Sequence, residues 1–281
     1  MTAWFDRIPD SLFRVLAWVV ITVLLILILF PLYFMVTTAF KLEGEIYSEL
    51  TWIPRNPTLS NFHDVIFNFN IPLYLRNTLI VALITTSIVV VISVLAAYAL
   101  TRLRFPGRAL MARGVLFVYL IPGSLMLIPM YLIIANLRLK DSYTGLVIAN
   151  MSFSVPFCTW LMMGYLRSLS NEIEEASLID GCTRLLSLWH IVIPLSIPGI
   201  VTAMIFIFNN VWNEFIFALV LAQDDAHRMI SVGLSNFYRS DYYMMGPMMA
   251  GALIAMAPVV ILYILAQRYV VSGLAAGAVK G

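Results

Sequence analysis

Asn171–Gly199 reads NEIEEASLIDGCTRLLSLWHIVIPLSIPG, and it is the one long polar interruption in the hydrophobic second half of the chain. It lies between two apolar runs, each long enough to cross a bilayer. Its first part has the pattern of a helix. Asn171 with Glu174 three residues on forms a capping-box pattern, and Glu172, Glu174 and Glu175 place negative charge in a first helical turn. Asp180-Gly181 breaks that helix, because glycine takes backbone angles that other residues resist. Thr183 then caps a second short helix, and Pro194 and Pro198 mark the return to the membrane. A helix–turn–helix held at a membrane surface is placed to be gripped by something outside the membrane.

Working outward, composition fixes the class as an all-α integral membrane protein. Of 281 residues, 62% are hydrophobic and 11% charged, where a soluble domain carries about 25% charged residues. Mean hydropathy is +0.93. Six runs qualify as spans, approximately Val15–Thr38, Asn77–Leu100, Gly114–Ala135, Tyr143–Leu166, Gly199–Ala222 and Gly246–Val270. This divides the chain into an N-terminal segment (1–14), a six-span body (15–270) that carries the polar loop at about 170–198, and a tail (271–281). The first run exceeds a signal-peptide core and lacks a small-residue cleavage site, so it reads as a retained anchor.

Arg102, Arg104, Arg108 and Arg113 crowd the short link between the second and third spans. The positive-inside rule makes that link cytoplasmic, and with it both termini and the Glu172–Pro198 segment. The opposite orientation puts those four arginines outside, against Lys41, Arg55, Arg228 and Arg239 in the two longer loops. The net charge of +2 carries no message about nucleic acid, and none is expected as a partner.

Residues for chemistry are sparse. Cys158 and Cys182 fall in a span and in the loop, an arrangement unsuited to a structural disulfide. His63, His190 and His227 lie in separate loops without metal-ligand spacing, so no metal site is expected. No Gly-x-x-x-x-Gly-Lys-Ser/Thr phosphate loop occurs. Uphill transport driven by ATP would therefore need another subunit to bind the nucleotide.

The spans are more than anchors. Pro31, Pro122, Pro129, Pro156 and Pro258 fall within or near their middles, and Gly123 follows Pro122. Such breaks free backbone groups that need partners in a bundle or a wet cavity, although kinks also serve packing alone. The fifth span contains Phe208-Asn209-Asn210-Val211-Trp212-Asn213-Glu214-Phe215. Asn209 and Asn213 are one turn apart, as are Asn210 and Glu214, which on a continuous helix gives a broad polar face. A carboxylate at mid-span costs about 2.5–3.5 kcal/mol on insertion scales and faces a cavity or a partner. Two readings follow: a hydrophilic pathway wall with Trp212 as a stacking surface, or an interhelical seam.

These residues carry a resemblance. Glu175-Ala176-Ser177, Asp180-Gly181, Ile191 and Pro194 at their offsets resemble the cytoplasmic EAA loop of ATP-binding-cassette importer permeases, and in particular of carbohydrate importers of the maltose-permease type. Pro54–Phe62, Arg76-Asn77-Thr78, Ala97–Arg108 and Trp212-Asn213-Glu214 follow the same family's pattern, and Gly273–Gly281 resembles the tail of the smaller permease subunit. Ser177, Cys182 and Leu188 depart from it, each as a small or apolar exchange.

The resemblance implies a six-span type I importer bundle in the cytoplasmic (inner) membrane. It implies a homologous second permease, two ATPase subunits that bind ATP and Mg so that this chain binds no cofactor itself, and an extracytoplasmic sugar-binding protein. Glu174, Glu175, Ala176, Ser177, Asp180, Gly181, Ile191 and Pro194 would form the ATPase-coupling loop. Asn209, Asn210, Trp212, Asn213 and Glu214 would border the sugar path, and Gly277, Val279 and Lys280 would reach the ATPases. The outer loops, about 40–75 and 223–245, would face the binding protein, the second with Phe237, Tyr238, Tyr242 and Tyr243. A secondary, ion-coupled transporter is the competing class, with Glu214 its sole acidic group inside a predicted span. An intramembrane enzyme lacks its parts, since no predicted span holds a histidine or lysine.

Overall fold

The computed structural model describes residues 10–48, 51–239 and 242–278, which fall into two compact units. The first opens with α1 (Asp10–Ala39), a helix with no polar stripe and no buried residue in its most apolar window. Helix formation satisfies its backbone internally, which is what hydrocarbon demands of a lipid-exposed segment. After it come α2 (Glu43–Ser48) and α3 (Ser60–Phe67). Buried Asn61 ties this loop together, donating from Nδ2 to the carbonyls of Ala39 (3.0 Å) and Lys41 (2.8 Å). The Glu45 carboxylate accepts from the Arg55 amide (3.0 Å) and the Thr51 hydroxyl (2.8 Å), and these two bonds hold its pKa below the usual carboxylate value. A two-residue ladder, β1 (Tyr238–Arg239) with β2 (Tyr242–Tyr243), precedes the start of α13 (Met245–Ala278) in the same unit.

The second unit is a helix bundle. Its core is α4 (Ile71–Arg102), α7 (Tyr143–Ser168) and α10 (Ile193–Trp212). Small residues sit where these helices meet: Ala82, Ser93 and Ala97 on α4, Ala149 and Cys158 on α7, and Ala203 on α10 are all fully buried. With no water to drive helices together in lipid, close backbone approach through small side chains supplies the packing. At Gly199 of α10 an added Cβ would stand 2.5 Å from the Tyr165 ring, so only glycine lets α10 approach α7 there. Around this core run α5 (Arg108–Tyr119), a tight turn at Gly123–Met126, α6 (Leu127–Asn136), α8 (Asn171–Ile179) and α9 (Arg184–Ser187). A wide turn, Leu188–Val192, joins α9 to α10; α11 (Ile216–Leu221), α12 (Ile230–Ser235) and the rest of α13 complete the unit.

Asn77 and Thr78, at the start of α4, pin the loop before α12. The Asn77 Nδ2 donates to the carbonyls of Ala226 (2.9 Å) and Arg228 (3.0 Å), Tyr143 donates its hydroxyl to Asn77 Oδ1 (2.8 Å), and the Ile230 amide donates to Thr78 Oγ1 (2.8 Å). Both donors and the oxygen of the buried Asn77 amide are thereby bonded, as burial requires.

Among the described residues, five helices are long and apolar enough to span, and six if a bent pair counts as one. The first, second, fourth and sixth predicted spans are continuous helices; the fourth starts where predicted, and the sixth runs on from Val270 to Ala278. Two predicted spans differ. The third is broken into α5 and the Gly123–Asn136 segment at an angle of 92°, because Pro122 cannot continue the helix. The fifth stops at Trp212, and Asn213–Phe215 forms a break before α11. The tail reads as flexible from its small residues, but α13 continues to Ala278, so Gly277 is helical, while Val279 and Lys280 lie outside the described residues.

Candidate functional site

Two places gather the polar residues singled out by sequence. The first is the α8–α9 loop. Its N-cap is Ser170, whose Oγ accepts from the Glu172 amide (3.2 Å), so Asn171 is the first helical residue and not the cap. The Asn171–Glu174 capping box therefore does not form. Glu174 instead turns inward, 6% exposed, and accepts from the Tyr98 hydroxyl at 2.6 Å.

Gly181 carries the turn at φ +90°, with the Cys182 amide bonded to the Ser177 carbonyl (3.0 Å) and the Gly181 amide to that of Leu178 (3.2 Å). This is the closing pattern of a helix that ends in a left-handed residue, and it explains the glycine. Thr183 caps α9, as its position predicts, accepting from the Leu186 amide (3.3 Å).

Ser177, a departure from the EAA pattern, has a structural task here. Its hydroxyl donates to the Glu174 carbonyl and lies 2.7 Å from Ser187 Oγ, joining α8 to α9 inside a buried contact. Ser177→Ala strands the buried Ser187 hydroxyl and is expected to destabilise the loop by about 1–2 kcal/mol, read as a lowered Tm of the purified protein. An unchanged Tm would show that α8 and α9 hold together without this bond.

The outer side of the loop is open. Glu175, Ala176, Asp180 and Gly181 are exposed, and so are the large apolar side chains Ile179, Leu185 and Trp189. Exposed apolar groups gathered on a polar surface loop have the composition of an interaction surface, for a protein or a membrane. Ile191 sits in the wide turn, and Pro194 lies just after it, two residues into α10.

The second place is a cavity of about 470 Å³ between the break in the third span, α7 and the end of α10. Asn209, Asn210 and Glu214 line it, joined by Asn150, Ser154 and Ser124, with Tyr119, Phe153, Phe157 and Phe206 as its aromatic wall. Ser154 Oγ is buried without a hydrogen-bond partner among the described residues. Because α10 ends at Trp212, the expected four-residue polar face is split. Asn213 caps the helix and bonds back to the Asn209 carbonyl (2.8 Å) and Oδ1 (3.1 Å), away from the cavity. Glu214 caps α11, accepting from the amides of Phe217 (2.7 Å) and Ala218 (2.9 Å), while Ser231 donates to its carbonyl (2.6 Å).

Trp212 is buried against Phe208, their rings stacked at 5.3 Å, and it does not line the cavity. The stacking surface assigned to Trp212 is thus offered instead by Tyr119, Phe153, Phe157 and Phe206. Sequence reading missed Asn150 and Ser154, although they stand one turn apart on one helix face. Within that turn and the next, Phe153 and Phe157 share the same spacing.

No group of three or more His, Cys, Asp or Glu among the described residues could hold a metal ion.

Residues 89–275 match the family described as binding-protein-dependent transport system inner membrane component. The chain is 37% identical over 268 residues to the sulfoquinovosyl glycerol transport system permease protein SmoH of Agrobacterium fabrum, covering 95% of this chain and 94% of that one. It is 32% identical over 275 residues to the trehalose/maltose transport system permease protein MalG of Thermococcus litoralis, covering 97% and 99%. Among solved structures, it superposes with TM-score 0.81 on a chain of a bacterial ABC transporter involved in the import of the acidic polysaccharide alginate, at 23% identity over 93% of this chain and 97% of that one. That likeness shows the fold, an ABC type I importer permease bundle with several membrane-crossing helices. The family match favours an importer permease over an ion-coupled secondary transporter, and places the protein in the inner membrane as a transport component. The chain belongs to the inner membrane components of binding-protein-dependent transport systems.

Proposed function

We propose that this chain is one of two homologous permease subunits in an ATP-driven sugar importer, and that its cavity forms part of the sugar path. The observation that carries this reading is the cavity's lining. Amides and hydroxyls from Asn150, Ser154, Asn209 and Asn210 face an aromatic wall across a space of about 470 Å³. A sugar needs hydrogen-bond partners that both donate and accept, and an amide does both. The apolar face of a sugar ring is covered well by an aromatic side chain. The curated relatives, named for sulfoquinovosyl glycerol and for trehalose/maltose, support a carbohydrate cargo.

In this reading the arginine-rich link and the α8–α9 loop face the cytoplasm. The loop docks, through Glu175, Ala176, Asp180, Gly181 and its exposed apolar rim, on two ATPase subunits that hold ATP and Mg. Gly277, Val279 and Lys280 reach the same subunits, and an extracytoplasmic binding protein delivers sugar to the opposite face. Closure of the ATPases pushes the loop, and the continuous Arg184–Trp212 helix carries that push to the cavity wall.

Cysteine labelling tests the path. In a background with Cys158→Ala and Cys182→Ser, Asn209→Cys and Asn210→Cys are expected to react with small hydrophilic thiol reagents in membrane vesicles. Trp212→Cys, in the core, is expected to stay unreacted. Sugar should protect the first two. Inert cysteines at 209 and 210 in every state of the ATP cycle would make this face a helix–helix seam.

A further inference from the structure

The side of α8 that faces the bundle carries a feature the coupling reading does not use. Glu174 and Arg102 have side chains only 8% exposed, with the carboxylate Oε2 3.5 Å from the guanidinium Nε. The Tyr98 hydroxyl donates to Glu174 Oε1 (2.6 Å) and lies 3.4 Å from the Arg184 carbonyl of α9. Arg102 spends its Nη2 on the carbonyls of Leu166 (2.8 Å) and Leu169 (2.9 Å), where α7 ends. One buried cluster therefore joins α4, α7, α8 and α9. A guanidinium at a helix C-terminus meets the negative end of the helix dipole, and it compensates a carboxylate that burial would otherwise strand.

We propose that Tyr98, Arg102 and Glu174 are positioning residues that make the coupling loop one rigid piece with the adjacent ends of α4 and α7. A load on the loop then moves the second and fourth spans directly, in addition to the fifth span to which the loop is covalently continuous. Glu174 and Glu175 divide the work. Glu175 is exposed toward a partner, and Glu174 is anchored toward the bundle. Replacement of either buried partner alone leaves the other uncompensated, so the cluster acts as a unit. Its chemistry also accounts for Arg102, whose guanidinium lies buried on the carbonyls at the end of α7. The proposal rests on the coupling reading of the loop, so its test must be separable from a test of that reading.

Thr101 on α4 and Asn171 on α8 both line the open cleft beside the cluster, without belonging to it. In the assembled importer with Cys158→Ala and Cys182→Ser, Thr101→Cys and Asn171→Cys can be joined by a bifunctional methanethiosulfonate. A rigid joint keeps sugar uptake and sugar-stimulated hydrolysis when cross-linked. Uptake lost on cross-linking and regained on reduction would show that the joint opens in each cycle, and would overturn the proposal. Glu174→Gln keeps an oxygen for the Tyr98 hydroxyl but removes the charge that faces Arg102, and is expected to lower the sugar moved per ATP hydrolysed by about tenfold. A ratio equal to wild type in the assembled variant would also overturn it. If Glu174→Gln does not assemble, Tyr98→Phe, which removes one hydroxyl, is read by the same ratio with the same two outcomes. Failure of the coupling reading shows elsewhere, as intact stimulated hydrolysis after substitution of Gly181 at the loop tip, which leaves the cross-linking result unaffected.

Discussion

Gly181→Val is expected to leave the protein inserted in the membrane while weakening its association with the ATPase subunits by about tenfold, the equivalent of the 1–2 kcal/mol that a left-handed backbone costs an L-residue. The argument separates backbone from bulk. At φ +90° glycine is unstrained, and a Cβ added there would meet no atom within 4 Å. Collision of the Cβ inside the subunit therefore contributes nothing, and the effect comes from unwinding the turn that sets the angle between α8 and α9, together with added bulk on the docking face. Gly181→Asn, which tolerates the left-handed region better, should fall between wild type and valine. Co-purification of the ATPases and sugar-stimulated hydrolysis report the outcome. Wild-type assembly and hydrolysis in the valine variant would remove Gly181, and the loop geometry it fixes, from the coupling mechanism.

That turn also shows how far the sequence could be read. Asp180-Gly181 and Thr183 are local signals, and the structure places a left-handed glycine and a working cap at those positions. The cap of α8 was misassigned by one residue because Ser170 and Asn171 are both good capping residues and only tertiary contacts choose between them. Here the choice follows Glu174. A capping box would hold its carboxylate at the helix start, whereas Tyr98 and Arg102, far away in sequence, draw it into the bundle. No pattern within the loop encodes that pull.

The spans divide the same way. Hydropathy found α1, α4, α7 and α13 but not their full length, since apolar side chains and internal backbone bonding define the helix in lipid while less apolar ends extend it. It missed the break after Trp212, because Asn213, Glu214 and Phe215 are no stronger helix breakers than many residues inside helices. Glu214 makes the break stable by capping α11 with both carboxylate oxygens, a contact that exists only once the chain has turned. Helical spacing carried past Trp212 consequently put Asn213 on the same face as its neighbours, whereas the structure keeps Asn209, Asn210 and Glu214 on the cavity lining and turns Asn213 back onto Asn209. The Pro122-Gly123 signal was legible as a break; its angle of 92°, which opens room for the cavity, was not.

Asn210→Trp is expected to abolish sugar uptake while sparing insertion, assembly with the sibling permease and hydrolysis in the absence of sugar. Asn210 is an exposed residue on the cavity lining, so an indole there grows into open space instead of forcing the packed core apart. In a cavity of about 470 Å³ it would occupy room that a sugar ring needs and would cover the amides of Asn150 and Asn209. Asn213→Leu is the informative contrast. Asn213 bonds back to Asn209 and does not border the cavity, so its loss removes two exposed bonds to that one residue and should lower uptake only a few-fold, in line with about 1 kcal/mol for exposed hydrogen bonding. The order of the two effects is what the geometry dictates, and a reading based on a continuous polar face predicts the reverse emphasis. Uptake by reconstituted vesicles, with the sibling permease quantified in the same preparation, measures both. Normal transport by Asn210→Trp would remove the cavity from the path, and loss of the sibling subunit from that variant would assign the surface to permease pairing.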